Sequence, residues 1–276
     1  MNISELASRI ESEYDNPTSG AREAFDRFIE ALNSGAIRAA ERAGSEWKVN
    51  FWVKKGILLG FRIGKIQDAG SPPPLQFFDK DTYPTRSVPG VEKNIRIVPG
   101  GSSIRSGVYL GSNVTIMPPA YINVGAFVDD GTMVDSHALV GSCAQIGKRV
   151  HISAAAQIGG VIEPIGALPV IIEDDVLVGG NCGIYEGTIV RRGAVLAAGT
   201  ILTSGTPVYD LVRRKIYRKE DHQPLSIPED AVVIPGSRPL SRDDEFSRGL
   251  SVYTPLIVKY RDDRTDSATR LEKDLR

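Results

Sequence analysis

Every sixth residue from Ile104 to Ile158 is aliphatic, with Leu110, Ile116, Ile122, Val128, Val134, Val140, Ile146 and Ile152 between them. After a break the step resumes at Ile172 and continues through Val178, Ile184, Val190, Leu196 and Leu202, giving sixteen hits at one spacing. A small or β-branched residue stands four places after nearly every hit, as at Val114, Ala120, Ala126 and Thr132, with Ile162 the one bulkier member. Glycine or asparagine recurs three places after the hit, at Gly107, Asn113, Gly125, Gly131, Asn181, Gly187, Gly193, Gly199 and Gly205. Those residues accept the positive φ of a tight corner. A helix of 3.6 residues per turn cannot hold a six-residue stripe on one side, and six residues are too few for a hairpin array. What remains is a parallel β-helix in which each hexapeptide is one short strand plus a corner. Its aliphatic side chains stack inside, and three hexapeptides per coil make a triangular prism.

Composition divides the chain along the same lines. Eighteen of the 28 glycines lie between Gly100 and Gly205, and only 13 of the 103 residues from Ile104 to Thr206 are charged, so most of the charge sits in the flanks. Upstream, Phe25, Phe28, Ile29 and Leu32 follow helical spacing and stop at Asn33, Ser34 and Gly35, a C-cap signal; a second helix is expected from Trp47 through Leu59. Gly70 to Pro74 (GSPPP) breaks the chain, and DKDTYPTRSVPG reads as an extended linker. The break in the repeat, IEPIGALPV around Glu163 to Val170, reads as a loop thrown out from one corner, the kind of insertion that serves a binding face. Beyond Thr206, VYDLVRRKIYRK, AVVIPG and LIVKY suggest a small β appendage covering the open end of the solenoid, before the polar tail DDRTDSATRLEKDLR, helical or frayed.

With 33 basic and 34 acidic side chains the net charge is −1, which argues against a nucleic-acid or anionic-membrane surface. No apolar run approaches the roughly 18 residues of a membrane span. MNISELASRIESEYD carries acidic residues where a signal peptide would be basic and then apolar, so a cytoplasmic location is expected. The two cysteines, Cys143 and Cys182, make neither a disulfide framework nor a zinc knuckle and suit a reducing compartment.

The strings FFDKDTYPTR, RIVPGGSSIRSGVYL, MPPAYINVGAFVDDGTMVDSHALVGSCAQIGKRVHIS, IGGVIEP and IIEDDVLVGGNCGIYEGTIV resemble the tetrahydrodipicolinate N-succinyltransferases of lysine and diaminopimelate synthesis. The likeness runs from FWVKKGILLGFRI to LIVKY, some three quarters of the chain, and MVDSHALVGSCAQIGK departs from a bare hexapeptide consensus as that family does. The resemblance implies a left-handed β-helix working as a homotrimer. It also implies transfer of a succinyl group from succinyl-CoA to the amino group of the ring-opened acceptor, 2-amino-6-oxopimelate, with succinyl-CoA as cosubstrate and no permanently bound cofactor. An amine attacking a thioester must arrive unprotonated and needs a proton acceptor, while the developing oxyanion needs a donor. A dicarboxylate acceptor needs guanidinium partners.

Asp135 and Glu186 match the motif carboxylates and are assigned to amine binding and proton acceptance; Arg96 and Arg105 match family arginines at the entrance to the repeat and are assigned, with Asp135, to the acceptor. About eight hexapeptides separate the two carboxylates, so they fall on different faces of one prism, and a site holding both lies between subunits. CoA phosphates need cations near a rim, for which Lys148, Arg149, Arg191 and Arg192 are assigned, with Arg213, Arg214 and Lys215 as a further cluster. Hexapeptide carbonic anhydrases use three histidines for zinc; here His137 and His151 are 14 apart and His222 lies outside the repeat, so no metal is expected. His137 is left as a site-lining residue and Cys143 as a packing residue. The fold class is thus mainly β: a β-helix over 95–207 with an external loop near 163–171, a helical domain and linker over 1–94, and a β extension and tail over 208–276. Two other readings stay open: an acetyl-CoA enzyme on the same acceptor, and a non-catalytic scaffold.

Overall fold

The computed structural model describes residues 2–69, 76–220, 223–240 and 247–262. The GSPPP break, His222 and most of the polar tail lie outside them.

Sixteen two-residue strands carry the sixteen aliphatic hits, each hit as the second, inward residue, and every one of these side chains is buried. The strands stack in parallel into three faces of a left-handed prism. Face I contains Arg96–Ile97, Thr115–Ile116, Met133–Val134, His151–Ile152, Leu177–Val178 and Val195–Leu196 in order. Face II contains Ser103–Ile104, Tyr121–Ile122, Leu139–Val140, Gln157–Ile158, Gly183–Ile184 and Ile201–Leu202. Face III contains Tyr109–Leu110, Phe127–Val128, Gln145–Ile146, Ile171–Ile172 and Ile189–Val190. Register repeats every 18 residues, as in Val134 against Ile152, until the loop between Ile158 and Ile171 lengthens one II–III corner.

Corners take the left-handed conformation three places after the hit. Gly125, Gly131 and Asn181 do so at φ 77°, 68° and 56°, but so do His137, Cys143, Arg149, Ala155 and Asp175. The stack of strands above and below imposes the corner even where the residue disfavours it.

The prism does not end at 207. After an excursion that includes an antiparallel hairpin, Val208–Asp210 with Lys215–Tyr217, the chain returns as Ser226–Ile227 on face III and Ala231–Ile234 on face I. The polar and proline-containing excursion hides these last two rungs from a fixed six-residue step. Leu256–Tyr260 then pairs with Ala231–Ile234, and the Tyr253 hydroxyl accepts from the Ile201 N–H (2.6 Å), capping the last strand of face II.

Three helices, α1 (Ile3–Asp15), α2 (Ala21–Ser34) and α3 (Phe51–Ile63), pack around Phe25, Phe28, Ile57 and Tyr83. α2 ends at Gly35 in the left-handed conformation, φ 76°, as its sequence requires. The second expected helix is corrected at its start: Trp47 lies in a hairpin, Ala40–Ala43 with Glu46–Val49, and α3 begins only at Phe51. Tertiary contacts decide this, because Trp47 Nε1 donates to Glu173 (3.0 Å) and the ring packs with Ile171 and Ile189 of face III. The helical layer seals that face. The Arg38 guanidinium lies 3.6 Å over the Phe127 ring and donates to Gln145, while Asn33 accepts from the Gly107 N–H (2.9 Å). Lys54 of α3 is fully buried and donates its ammonium to the Ala167 carbonyl of the thrown-out loop. The expected linker is only partly extended, since Phe78–Lys80 pairs with Ile66–Asp68 and Tyr83 is buried in the helical core.

Candidate active site

Asp135 follows the inward Val134 and opens the corner from face I to face II. Its N–H donates to the Ile152 carbonyl (2.9 Å), and its Oδ1 accepts from the Ser136 N–H (2.7 Å). Backbone and one carboxylate oxygen are therefore fixed, and the side chain is half-buried at the corner. Arg96 is the exposed, outward residue of the first strand of face I. The register Arg96, Thr115, Met133 puts it two strands from the strand ahead of Asp135, on the order of 10 Å along the axis at ~4.8 Å per strand. The structure thus brings Arg96 and Asp135 to one side of one prism.

The other assigned residues lie elsewhere. Arg105 follows Ile104 at the II–III corner, pairs with Asp79 and stands near the rings of Phe61 and Tyr83 (5.8 and 5.7 Å). It is only 14% exposed, so a substrate carboxylate would have to displace Asp79. Glu186 also occupies a II–III corner, in the left-handed conformation with φ 53°. Its Oε2 accepts from both the N–H (2.8 Å) and the hydroxyl of Ser204, which hold the carboxyl below the usual range, with Lys219 adding to the effect. A corner and a whole face separate it from Asp135.

The four cations assigned to CoA line the III–I corner, and each meets a carboxylate. Lys148 pairs with Asp130 (3.1 Å), Arg149 is bidentate to Asp175 (2.6 and 2.8 Å), Arg192 stands 3.5 Å from the same Asp175, and Arg191 pairs with the buried Glu173 (3.1 Å). Glu173 also accepts from Trp47 and the Arg192 N–H, making it the anchor of the hairpin; sequence reading passed over it because its partners are more than 100 residues apart in part. In the further cluster, Arg213 lies 3.8 Å over the Tyr260 ring and Lys215 4.9 Å over that of Tyr217.

His137 is exposed at the corner beside Asp135, whereas His151 is buried on face I. Among the described residues no group of three or more His, Cys, Asp or Glu side chains is placed to hold a metal, and no helix is long and apolar enough to cross a membrane. Burial pushes the Cys143 thiol up to about 12, which removes it as a nucleophile near neutral pH.

The hexapeptide prism places the chain among the hexapeptide-repeat transferases, and residues 169–204 match a model described as the hexapeptide repeat of succinyl-transferase. Residues 5–63 match the N-terminal domain of tetrahydrodipicolinate N-succinyltransferase. Over their whole lengths, the 2,3,4,5-tetrahydropyridine-2,6-dicarboxylate N-succinyltransferases of Bradyrhizobium diazoefficiens and Nitrobacter hamburgensis are 42% and 40% identical to this chain. That of Pseudoalteromonas translucida is 40% identical over 95% of this chain and 94% of its own. The chain belongs to the tetrahydrodipicolinate N-succinyltransferase family.

Proposed function

We propose that the protein transfers a succinyl group from succinyl-CoA to the amino group of ring-opened tetrahydrodipicolinate, 2-amino-6-oxopimelate. The observation that carries this reading is the placement of Arg96 and Asp135 on one side of the prism in a chain whose relatives bear that name over their full length. The Arg96 guanidinium suits a carboxylate of the acceptor. The Asp135 carboxylate suits its ammonium and takes the proton that the nitrogen must lose. The neutral amine attacks the thioester carbonyl, the C–N bond forms, the C–S bond breaks, and the CoA thiolate leaves to be protonated. Holding the two reactants together lowers the barrier in addition to the proton transfer.

Asp135 at the I–II corner and Glu186 at the II–III corner can share a site only across two copies of the chain, which supports a homotrimer with CoA in the groove between adjacent prisms. The test is turnover with purified protein, the acceptor, and either succinyl-CoA or acetyl-CoA. Turnover at least tenfold faster with succinyl-CoA is expected. Preference for acetyl-CoA would move the assignment to an acetyltransferase, and absence of both turnover and CoA binding would leave a scaffold.

A further inference from the structure

On face III, the Glu46–Val49 strand, the thrown-out loop and the returning strand Ser226–Ile227 enclose a cleft of about 190 Å³ beside Ile189–Val190. That is roughly six times the ~30 Å³ share of one water molecule and below the ~300 Å³ of a drug-sized pocket, so it suits a molecule of amino-acid size. Its floor is apolar, made by Trp47, Leu168, Ile189 and Pro224. Polar groups converge on it from Glu46, Arg191 and Gln223. Arg191 donates from Nε to the Ser226 hydroxyl (3.1 Å) and from Nη1 to Glu173 (3.1 Å) and the Ser45 carbonyl (3.3 Å), so its Nη2 makes no bond among the described residues. Neither the Glu46 carboxylate nor the Gln223 side-chain amide makes one there. The charges balance, because Glu173 stands 3.1 Å from Arg191 and 3.5 Å from Arg42, and Glu46 supplies the second carboxylate. A purely anionic or purely cationic guest would leave one charge unmatched, whereas a guest with one charge of each sign would not.

We infer that this cleft binds a free α-amino acid with an aliphatic side chain, at a site separate from the one that takes the acceptor. The carboxylate of the guest accepts from Arg191 Nη2 and the Gln223 amide, its ammonium donates to Glu46, and its side chain lies on the apolar floor. Bonds between charged partners are the stronger kind, and apolar surface leaving water for the floor adds to them. A few convergent polar groups over an apolar lining is the usual form of a small-molecule site. The cleft lies on face III, whereas Arg96 and Asp135 lie on one side of face I, so the two sites do not share a wall. Leu168 ties the cleft to the neighbouring II–III corner. A Cβ on Gly187, at φ 74°, would meet the Leu168 carbonyl oxygen at 2.7 Å, so the glycine lets the loop lie directly on that corner. A guest packed on Leu168 therefore holds the loop down. The inference does not depend on the identity of the acyl donor.

The test is calorimetry on the unaltered protein with L-leucine, with 4-methylpentanoate, which lacks the ammonium, and with 3-methylbutylamine, which lacks the carboxylate. Glu46→Gln and Asp135→Asn are titrated with L-leucine alongside, and melting curves are recorded for both. Expected is saturable binding of one L-leucine per chain, weaker by about tenfold or more for each analogue and in Glu46→Gln, and unchanged in Asp135→Asn. Amide exchange around Leu168 should slow with L-leucine present. No saturable binding at millimolar L-leucine, equal affinity for all three compounds, or undiminished binding in a folded Glu46→Gln would overturn the inference. So would loss of binding in a folded Asp135→Asn, which would put the leucine in the acceptor site. Should Glu46→Gln fail to fold, the three compounds on the unaltered protein decide alone. Binding is read without turnover, so failure of the protein to use succinyl-CoA would overturn the proposed function and leave this result standing.

Discussion

Asp135 owes its precision to Val134. The valine is locked in the stack between Ile116 and Ile152, so the next residue cannot move without the coil moving. Asparagine at 135 keeps the volume and still offers an oxygen to the Ser136 N–H, but removes the charge that holds an ammonium and takes its proton. Asp135→Asn should therefore fold normally and lose about 10²-fold or more in kcat/KM; near-normal kcat/KM from pH 6 to 9 would pass the role to His137. Arg96 is exposed on a short strand whose backbone N–H donates to the Val114 carbonyl (2.9 Å). Arg96→Ala should raise the acceptor KM about 10-fold, worth ~1.4 kcal/mol, and leave CoA affinity unchanged. Equal loss for both substrates would make Arg96 structural. At this scale the sequence singles out Arg96 and Asp135 because each lies beside a motif, and the structure puts them on one side of the prism. The sequence is silent about Glu173, whose partner Trp47 lies 126 residues away.

Among elements, legibility follows the range of the contacts that decide conformation. Most prism strands stack on a copy of themselves 18 residues away, so a fixed step reveals the solenoid as far as Leu202 but not the two strands that follow the excursion. Trp47 has its deciding partner at Glu173, and no local pattern distinguishes its hairpin from a helix start. Lys54 is similar: helical spacing puts it on α3, but only the fold shows it buried and bonded to the Ala167 carbonyl of the loop. Burial lowers its pKa below the ordinary lysine value, with the Cys143 site opposing slightly. Between the folded value and the ordinary one the unfolded chain binds more protons, so this residue makes stability rise as pH climbs through that window and leaves it flat on either side. Lys54→Met should flatten that part of the dependence, raising the melting temperature at pH 7 relative to its effect at pH 10, and should loosen the loop. Melting curves at both pH values and amide exchange around Ala167 check this; an unchanged slope would show that the buried amine is not penalised in the fold.

For the whole molecule, the placement of the groups governs the assembly. Arg96 and Asp135 lie on one side of face I, while Glu186 lies at the II–III corner, a face away. If Glu186 shares a site with Asp135, that site falls in a groove between neighbouring prisms, with the face I side of one copy against the II–III corner of the next. Such a contact uses two different patches, and it closes into a ring when the rotation between copies divides a full turn. Three copies do so with each groove equivalent, giving a particle of about 90 kDa, three times 29.9 kDa. Light scattering during size exclusion should find that mass. Specific activity should hold constant on dilution while the particle persists and fall with it when it dissociates. A monomer retaining full activity would place both sets of groups within reach of one donor on a single prism and remove the reason for the ring.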